Sequence, residues 1–214
     1  MIDIMETLVE ELGPGEQVPQ PWLDVILAQL IEPQKQDAPW AYDLAKQLLE
    51  SEGVCAMLTP AVSTFMKDSI VSHKGTDSEL SDRTYDIILE LNRMQPQMLL
   101  EVLPHLVEEL KVDDVDVRLR CVKLLLQMFT EPGSTLLDQY EPLFAELLGR
   151  YNDSAPEIRV IMVDKSPDVL KYHRARFQKL IEEHLRNRIA VSTTHNPTTV
   201  RFTGRLLRLL QVEL

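Results

Sequence analysis

Glycine is scarce in this chain of 214 residues, with 7 in all, and no stretch alternates Val, Ile, Tyr or Phe with polar residues. Alternation of that kind marks a half-buried β-strand, so its absence argues against a sheet. Leucine dominates the apolar residues instead, and 13 prolines punctuate the chain. This balance predicts a helical protein with enough residues for one or two domains.

Cysteine is scarcer still, since Cys55 and Cys121 are the only two and no CxxC spacing exists. Each lies in an apolar context, so we interpret both as buried free thiols of a reducing compartment rather than as a disulfide. No apolar run approaches the ~18 residues of a membrane span. The acidic N-terminus is unlike a signal or transit peptide. The sequence therefore predicts no membrane, and the cytosol or nucleus.

Motifs that carry chemistry are also missing. The sequence has no GxGxxG, P-loop, GxSxG, HxxxH or HExxH pattern. We therefore predict no catalytic residue, no cofactor, no metal ligand and no small-molecule substrate. The alternative from another functional class is an enzyme. The sequence argues against it, because it shows no nucleophile–base pair and no metal-ligand set.

Charge is unevenly spread along the chain. Residues 1–164 carry a net charge of −18 and residues 165–214 a net charge of +6. The acidic part argues against broad contact with a nucleic-acid backbone, because that contact depends on cationic side chains. The segment 172–188, YHRARFQKLIEEHLRNR, predicts a basic amphipathic helix. Such a helix either touches nucleic acid or an acidic partner, or, more commonly, packs its apolar stripe and leaves its charges in solvent.

Amphipathic helices in pairs are what the sequence does contain. Two consecutive apolar patterns at helical spacing are Leu99, Val102, Leu103, Leu106, Val107 and Leu110, and then Val117, Cys121, Leu124, Leu125 and Met128. Pro104 lies inside the first pattern and predicts a kink or a restart. The next pair places Phe144, Leu147, Leu148 and Tyr151 on one face, and Ile158, Ile161 and Met162 on another.

The two pairs share a frame of proline, aspartate and arginine. Pro142 follows Pro104, and Arg159 follows Arg118, at nearly the same spacing in the sequence. An aspartate precedes each arginine by five or six positions, Asp113 in one pair and Asp153 in the other. We predict that these six residues are structural joints of a repeat, and that each arginine pairs with an aspartate of its own or the neighbouring repeat in an Asp–Arg ladder.

Upstream segments show the same organisation. Residues 20–53 predict a helix pair split at PQKQDAP, and residues 83–94 predict a further helix. Pro21, Pro60 and Pro104 follow one another at a similar spacing. A period of about 40 residues made of two helices is typical of HEAT and armadillo repeats. The predicted fold is an all-α solenoid of roughly four helix pairs, with a compact helical bundle as the structural rival.

The aspartates 113, 114 and 116 have an alternative interpretation as a calcium loop. Counted from Asp114, the sixth position is Leu119 instead of glycine and the twelfth is Leu125 instead of glutamate. We therefore expect these acids to cap a helix and to pair with Arg118.

Four aromatic residues are ambiguous in the same way. Trp22, Trp40, Tyr42 and Phe65 suit either a recognition pocket or the packing between helices. We predict that they are core residues, because aromatic side chains dominate buried area.

Five blocks of the sequence resemble a known family. They are YDLAKQLLE (42–50), DRTYDIILEL (82–91), PQMLLEVLPHLVEELK (96–111), DVRLRCVKLLLQMF (116–129) and EPLFAELLGRYND (141–153). In this order and spacing they resemble the Pds (precocious dissociation of sisters) regulators of cohesin, over roughly residues 1–164.

The resemblance implies a HEAT-repeat regulator of sister chromatid cohesion in the nucleus, active through mitosis and in DNA repair. It implies binding to the kleisin subunit of cohesin and cooperation with the releasing factor Wapl, with chromatin association that is indirect. The family's proteins are very long and this chain matches part of their N-terminal repeats, so no partner-binding residue is carried over. A generic solenoid adaptor, such as a transport or phosphatase scaffold, is the alternative within this fold class.

The resemblance fades after Arg159. We expect the helix that begins at EIRVIMV to stop within a turn or two at DKSPD, where Pro167 stands. The predicted organisation is a repeat segment over 1–164, a basic amphipathic helix over 165–189 and a divergent, partly disordered tail over 190–214.

Overall fold

Helices form all the regular structure in the described part of the chain. The computed structural model describes residues 18–31, 39–71, 83–131, 140–171 and 186. The chain divides into two compact units, Met1–Leu106 and Val107–Leu214.

The described part of the first unit contains four α-helices and a 3₁₀ turn. They are α1 (Gln20–Ala28), α2 (Pro39–Glu50), α3 (Glu52–Val71) and α4 (Thr84–Met94), followed by a 3₁₀ turn (Pro96–Leu99). The helix pair predicted within residues 20–53 and the helix predicted over 83–94 are confirmed by α1, α2 and α4. Helix α5 (Leu103–Glu109) crosses the point at which the two units meet in the sequence.

Helix α3 is the central element of the first unit. It packs against α1, α2, α4 and the 3₁₀ turn, and it buries Val54, Leu58, Val62, Met66 and Ile70. Its length and composition would also suffice to cross a membrane. That is weak support for a span, because the core helix of a water-soluble domain has the same properties, and α3 also carries the Lys67–Glu101 ion pair at 2.7 Å.

Prolines take two kinds of position. Pro21, Pro104 and Pro142 are each the second residue of a helix, where a missing N–H costs no helical hydrogen bond. Pro60 instead lies in the middle of α3, with its ring exposed. Its spacing to Pro21 and Pro104 therefore does not belong to the repeat frame, although the sequence pattern included it there.

The predicted helix over residues 97–110 is split. The 3₁₀ turn ends at Leu99 and α5 begins at Leu103, so Pro104 marks a restart, which was one of the two outcomes expected of it. All six apolar residues predicted on this face are buried nonetheless.

The second unit contains α6 (Val115–Thr130), α7 (Glu141–Gly149) and a second 3₁₀ turn (Arg150–Asn152). Helix α8 follows and is described over 156–171. The rings of Phe129 on α6 and Phe144 on α7 meet edge to face, with centroids 5.5 Å apart. The apolar faces predicted for α6 and α7 are buried, as are Ile158 and Met162 on α8, while Ile161 is half-buried.

Helix α8 is longer than the sequence predicted. It continues through Ser166 and Pro167 to residue 171, so the expectation that it stops at DKSPD is wrong. Val169 and Leu170 are buried in the turn after the proline, and this burial offsets the hydrogen bond that Pro167 cannot make. The predicted boundary between residues 164 and 165 falls inside this helix. Apart from Arg186, the predicted basic segment 172–188 and the tail 190–214 lie outside the described residues.

The prediction that four aromatic residues form the core is wrong. Trp40 is 70% exposed, and Trp22, Tyr42 and Phe65 are only half-buried. Leucine, isoleucine, valine and methionine fill the core instead, with Phe129, Phe144 and Tyr151 as its aromatic members. Cys121 is buried and Cys55 half-buried, and neither forms a disulfide in the described part of the chain.

Candidate functional site

A buried ion pair joins α6 to the turn that precedes α8. The Arg118 Nε donates to Asp153 Oδ2 at 3.1 Å, and the Arg118 Nη2 donates to Asp153 Oδ1 at 2.9 Å. Each residue is 5% exposed. Two parallel bonds of this kind fix orientation as well as distance, because the planar guanidinium matches the carboxylate. The structure therefore contains an Arg–Asp pair that joins α6 to the turn before α8.

The other edge of Arg118 holds the turn before its own helix. The Arg118 Nη1 donates to the carbonyl oxygens of Val112 at 2.7 Å and Asp113 at 2.8 Å. Nη2 makes an additional bond to Ser154 Oγ at 3.3 Å. These bonds and the two to Asp153 give a partner to each of the five N–H groups of the guanidinium. Arg118 thus joins one turn of its own repeat to the corresponding turn of the next.

Asp153 is surrounded by donors. It also accepts from Arg150 Nη1 at 3.2 Å and from the Ala155 backbone N–H at 2.9 Å. Burial alone would raise the pKa of Asp153, but the hydrogen bonds from Arg118 and Ala155 and the two positive charges lower it below its ordinary value. The bond to Asp153 in turn raises the pKa of Arg118. Both groups remain charged at neutral pH.

The three neighbouring aspartates have separate roles. Asp114 is the N-cap of α6, and its Oδ1 accepts from the backbone N–H groups of Asp116 at 2.9 Å and Val117 at 3.2 Å. Asp113 contributes its backbone carbonyl to Arg118 while its side chain is exposed. Asp116 lies exposed in the first helical turn, where a negative charge favours the helix dipole. No three potential ligands converge on a metal position within the described ranges.

Arg159 repeats part of this arrangement. Its Nη1 donates to the carbonyl oxygens of Asp153 at 2.7 Å and Ser154 at 2.8 Å, just before α8. Asp113 and Asp153 are therefore not equivalent in their side chains, since Asp153 holds the arginine of the preceding repeat in an ion pair. In both aspartates the backbone carbonyl oxygen nevertheless accepts a hydrogen bond from an arginine five or six positions later.

Several contacts of the site have no simple signal in the sequence. Arg150 donates to the Leu110 carbonyl oxygen at 2.9 Å and to Asp153, and its Nε is buried with no partner among the described residues. The hydroxyls of Tyr151 and Ser166 form a buried hydrogen bond, and Ser166 donates to the Met162 carbonyl at 2.6 Å. Burial raises the pKa of Tyr151 to about 12. For the contact between Arg150 and Asp153, the close spacing of the two residues in the sequence is the signal that could have predicted it.

The first unit has its own polar link between helices. Tyr42 on α2 donates to Glu90 Oε2 on α4 at 3.1 Å, and Arg93 donates to Glu90 Oε1 at 2.6 Å. Gln95, just after α4, donates to the Leu49 carbonyl at the end of α2 at 3.4 Å. Asn92 is 5% exposed, and neither atom of its amide group has a hydrogen-bond partner among the residues that the structure describes.

The polar contacts around Arg118 and around Glu90 hold helices of the same unit together. In the second unit, the buried charges of Arg118 and Asp153 are satisfied by each other, by neighbouring side chains and by backbone groups. The arrangement suits a stack of helix pairs that presents its outer faces. Arg118, Arg159 and the Asp153 carboxylate bond to turns of the chain, whereas Asp113 contributes its backbone carbonyl oxygen.

Comparisons with known proteins identify a family whose sequences match this chain. The family described as sister chromatid cohesion protein PDS5 matches residues 1–190, which extends beyond the roughly 1–164 over which the sequence blocks indicated a resemblance. The chain is 34% identical to human sister chromatid cohesion protein PDS5 homolog B over 203 residues, covering 90% of this chain and 14% of that protein. It is 36% identical to chicken homolog A over 173 residues, covering 81% of this chain and 13% of that protein.

A solved structure has the same fold. The chain superimposes on the structure of the Pds5–Scc1 complex with a TM-score of 0.71 and 14% sequence identity, covering 90% of this chain and 30% of that one. The fold is thus an α-solenoid of HEAT-like helix pairs, as the sequence predicted. The chain spans about one seventh of the length of the curated relatives it matches. Because the match takes in both helical units, the chain belongs to the PDS5 family of sister chromatid cohesion proteins.

Proposed function

We propose that this chain acts as a non-catalytic scaffold that binds cohesin and regulates sister chromatid cohesion in the nucleus during the cell cycle. Its membership of the PDS5 family over residues 1–190 carries this proposal. The structural neighbour is a complex with Scc1, which supports the kleisin subunit of cohesin as the direct partner. Wapl is a second partner on the basis of the family resemblance, and association with chromatin runs through cohesin.

The described helices suit a scaffold. Buried polar bonds hold helix pairs in a fixed register in each unit, so the outer helix faces keep a constant spacing. Short segments of partner proteins bind such faces either as helices in grooves or as extended peptides. Binding of this kind requires no nucleophile, metal or cofactor.

A reconstituted binding experiment tests the proposal. The purified chain is immobilised and incubated with a purified kleisin subunit and, separately, with Wapl. We expect retention of the kleisin at physiological salt. A parallel sample of the Arg118→Ala variant, checked by circular dichroism, reports whether retention needs the folded stack. A folded wild-type chain that retains neither protein, while retaining transport or phosphatase components from nuclear extract, would favour the generic adaptor.

A further inference from the structure

Arg159 reproduces one half of the Arg118 site. In both residues Nη1 donates to two consecutive carbonyl oxygens of the turn before the helix, at 2.7 and 2.8 Å. The distances agree although the turns differ in sequence. The guanidinium of Arg159 is therefore held in place by its own repeat, as that of Arg118 is.

The other half of the site is open in Arg159. In Arg118, Nε and Nη2 hold the carboxylate of Asp153. In Arg159 the same two atoms have no hydrogen-bond or ion-pair partner in the part of the chain that the structure describes. Arg159 is half-buried, and neither Nε nor Nη2 is a fully buried atom, so this edge is accessible. A planar fork with two free donors is suited to a carboxylate.

The sequence has no acidic residue at the position that would pair with Nε and Nη2 of Arg159 if the repeat continued. The position that stands to Arg159 as Asp153 stands to Arg118 is Thr194. Residues 184–212 contain no aspartate or glutamate at all.

We propose that Arg159 is a docking point for an aspartate of a partner polypeptide, presented at the start of a helix as Asp153 is presented before α8. The occupant accepts from Nε and Nη2 in the two-bond geometry of the Arg118–Asp153 pair. This interaction stands on the geometry of Arg159 alone and goes beyond the proposed cohesin scaffold, because it defines the chemistry of a partner segment and not its identity.

The test uses the full chain and a synthetic peptide of residues 150–158, RYNDSAPEI, which carries the aspartate in its native sequence context. The control is the same peptide with Asp153→Asn. The measurement is the Nε–Hε NMR signal of Arg159 during titration. We expect this signal to shift with the aspartate peptide and to move far less with the asparagine peptide. No shift at millimolar peptide, or equal shifts with both peptides, would overturn the proposal.

Matched protein variants distinguish binding by the two donors Nε and Nη2 of Arg159 from nonspecific electrostatic attraction. Arg159→Gln and Lys165→Gln remove the same charge, and Lys165 lies exposed on the same helix, paired with Asp168 at 3.1 Å. We expect Arg159→Gln to weaken peptide binding by about tenfold or more, and Lys165→Gln to leave it within about twofold. Arg159→Lys, which lacks the two-donor fork, should also weaken binding.

Equal losses in the Gln variants would overturn the proposal, and so would full affinity in Arg159→Lys. A DNA oligonucleotide that shifts the Arg159 signal more than the peptide does would also overturn it and assign this edge to phosphate instead. The wild-type titration needs no variant, so it decides the matter even if Arg159→Gln fails to fold.

Discussion

Arg118 and Asp153 stand 35 residues apart in the sequence and share a two-bond ion pair with 2.9 and 3.1 Å contacts, 5% exposed on each side. A buried pair of this kind costs desolvation, which its Coulomb attraction and hydrogen bonds must offset. Here the remaining donors of Arg118 are also bonded, and Asp153 accepts from two further donors. The pair therefore fixes how one repeat sits on the next, and losing either partner leaves the other charge buried alone.

Arg118→Ala should destabilise the fold strongly. The substitution strands the Asp153 carboxylate and frees the carbonyl oxygens of Val112 and Asp113, so we expect a loss of about 3–5 kcal/mol in the free energy of unfolding. Urea denaturation followed by circular dichroism measures it. Lys123→Ala, on the exposed face of the same helix, is the control and should change stability by less than about 0.5 kcal/mol. Equal midpoints for the two variants would contradict the structural role of Arg118.

Asp153 should make the fold sensitive to acid. Because its pKa is lowered in the folded state, its contribution to stability is complete above the ordinary aspartate pKa of about 3.9 and is lost as the pH falls through the lower folded value. Wild-type stability should therefore decline below about pH 4, with part of the decline due to this residue. Asp153→Asn should be less stable at pH 7 and show a shallower decline. Denaturation midpoints measured from pH 7 to pH 2 test this, and parallel curves for both proteins would refute it.

The repeat was readable from the sequence because it depends on local patterns. Apolar residues at helical spacing predicted the buried faces around Leu106, Cys121 and Leu147, and recurrence of arginine predicted the joints. The ladder was predicted as a type of contact, since an aspartate and an arginine stood at each turn. Which aspartate pairs with Arg118 was left open, because a contact between residues so far apart in the sequence depends on how the helices stack.

Tertiary packing decided the features that sequence patterns misjudged. Pro167 signals a helix end, yet α8 continues because Val169 and Leu170 are buried beyond it. Trp40 was expected in the core on account of its size, yet it lies 70% exposed at the start of α2. Pro60 matched the repeat spacing and sits inside α3. Local propensity gives only a weak preference in each case, and packing elsewhere in the unit overrides it.

Asn92→Leu should stabilise the first unit. Both polar atoms of the Asn92 amide are buried and have no partner in the described part of the chain. Such groups cost free energy that an apolar side chain of similar size avoids. We expect a gain of about 1–2 kcal/mol in the free energy of unfolding, seen as a higher urea midpoint with an unchanged slope. Asn152→Leu, at an exposed position of the second 3₁₀ turn, is the control and should give no gain. A destabilised Asn92→Leu would show that internal water satisfies the amide.

The two thiols should report folding independently of any ligand. Burial, with the nearby charge of Glu109, raises the pKa of Cys121, which suppresses the reactive thiolate at neutral pH. Its side chain is also fully buried, whereas Cys55 is half-buried next to Thr59. A disulfide reagent at mildly alkaline pH should therefore label Cys55 readily and Cys121 only at the rate of unfolding, and both should react at once in denaturant.

Cys55→Ser isolates the buried thiol. This variant should leave a single slow labelling phase, which Arg118→Ala should accelerate because it raises the unfolded population. Rapid labelling of Cys121 in folded Cys55→Ser protein would show that α6 opens without global unfolding, and the buried ion pair would then not be what holds α6 in place.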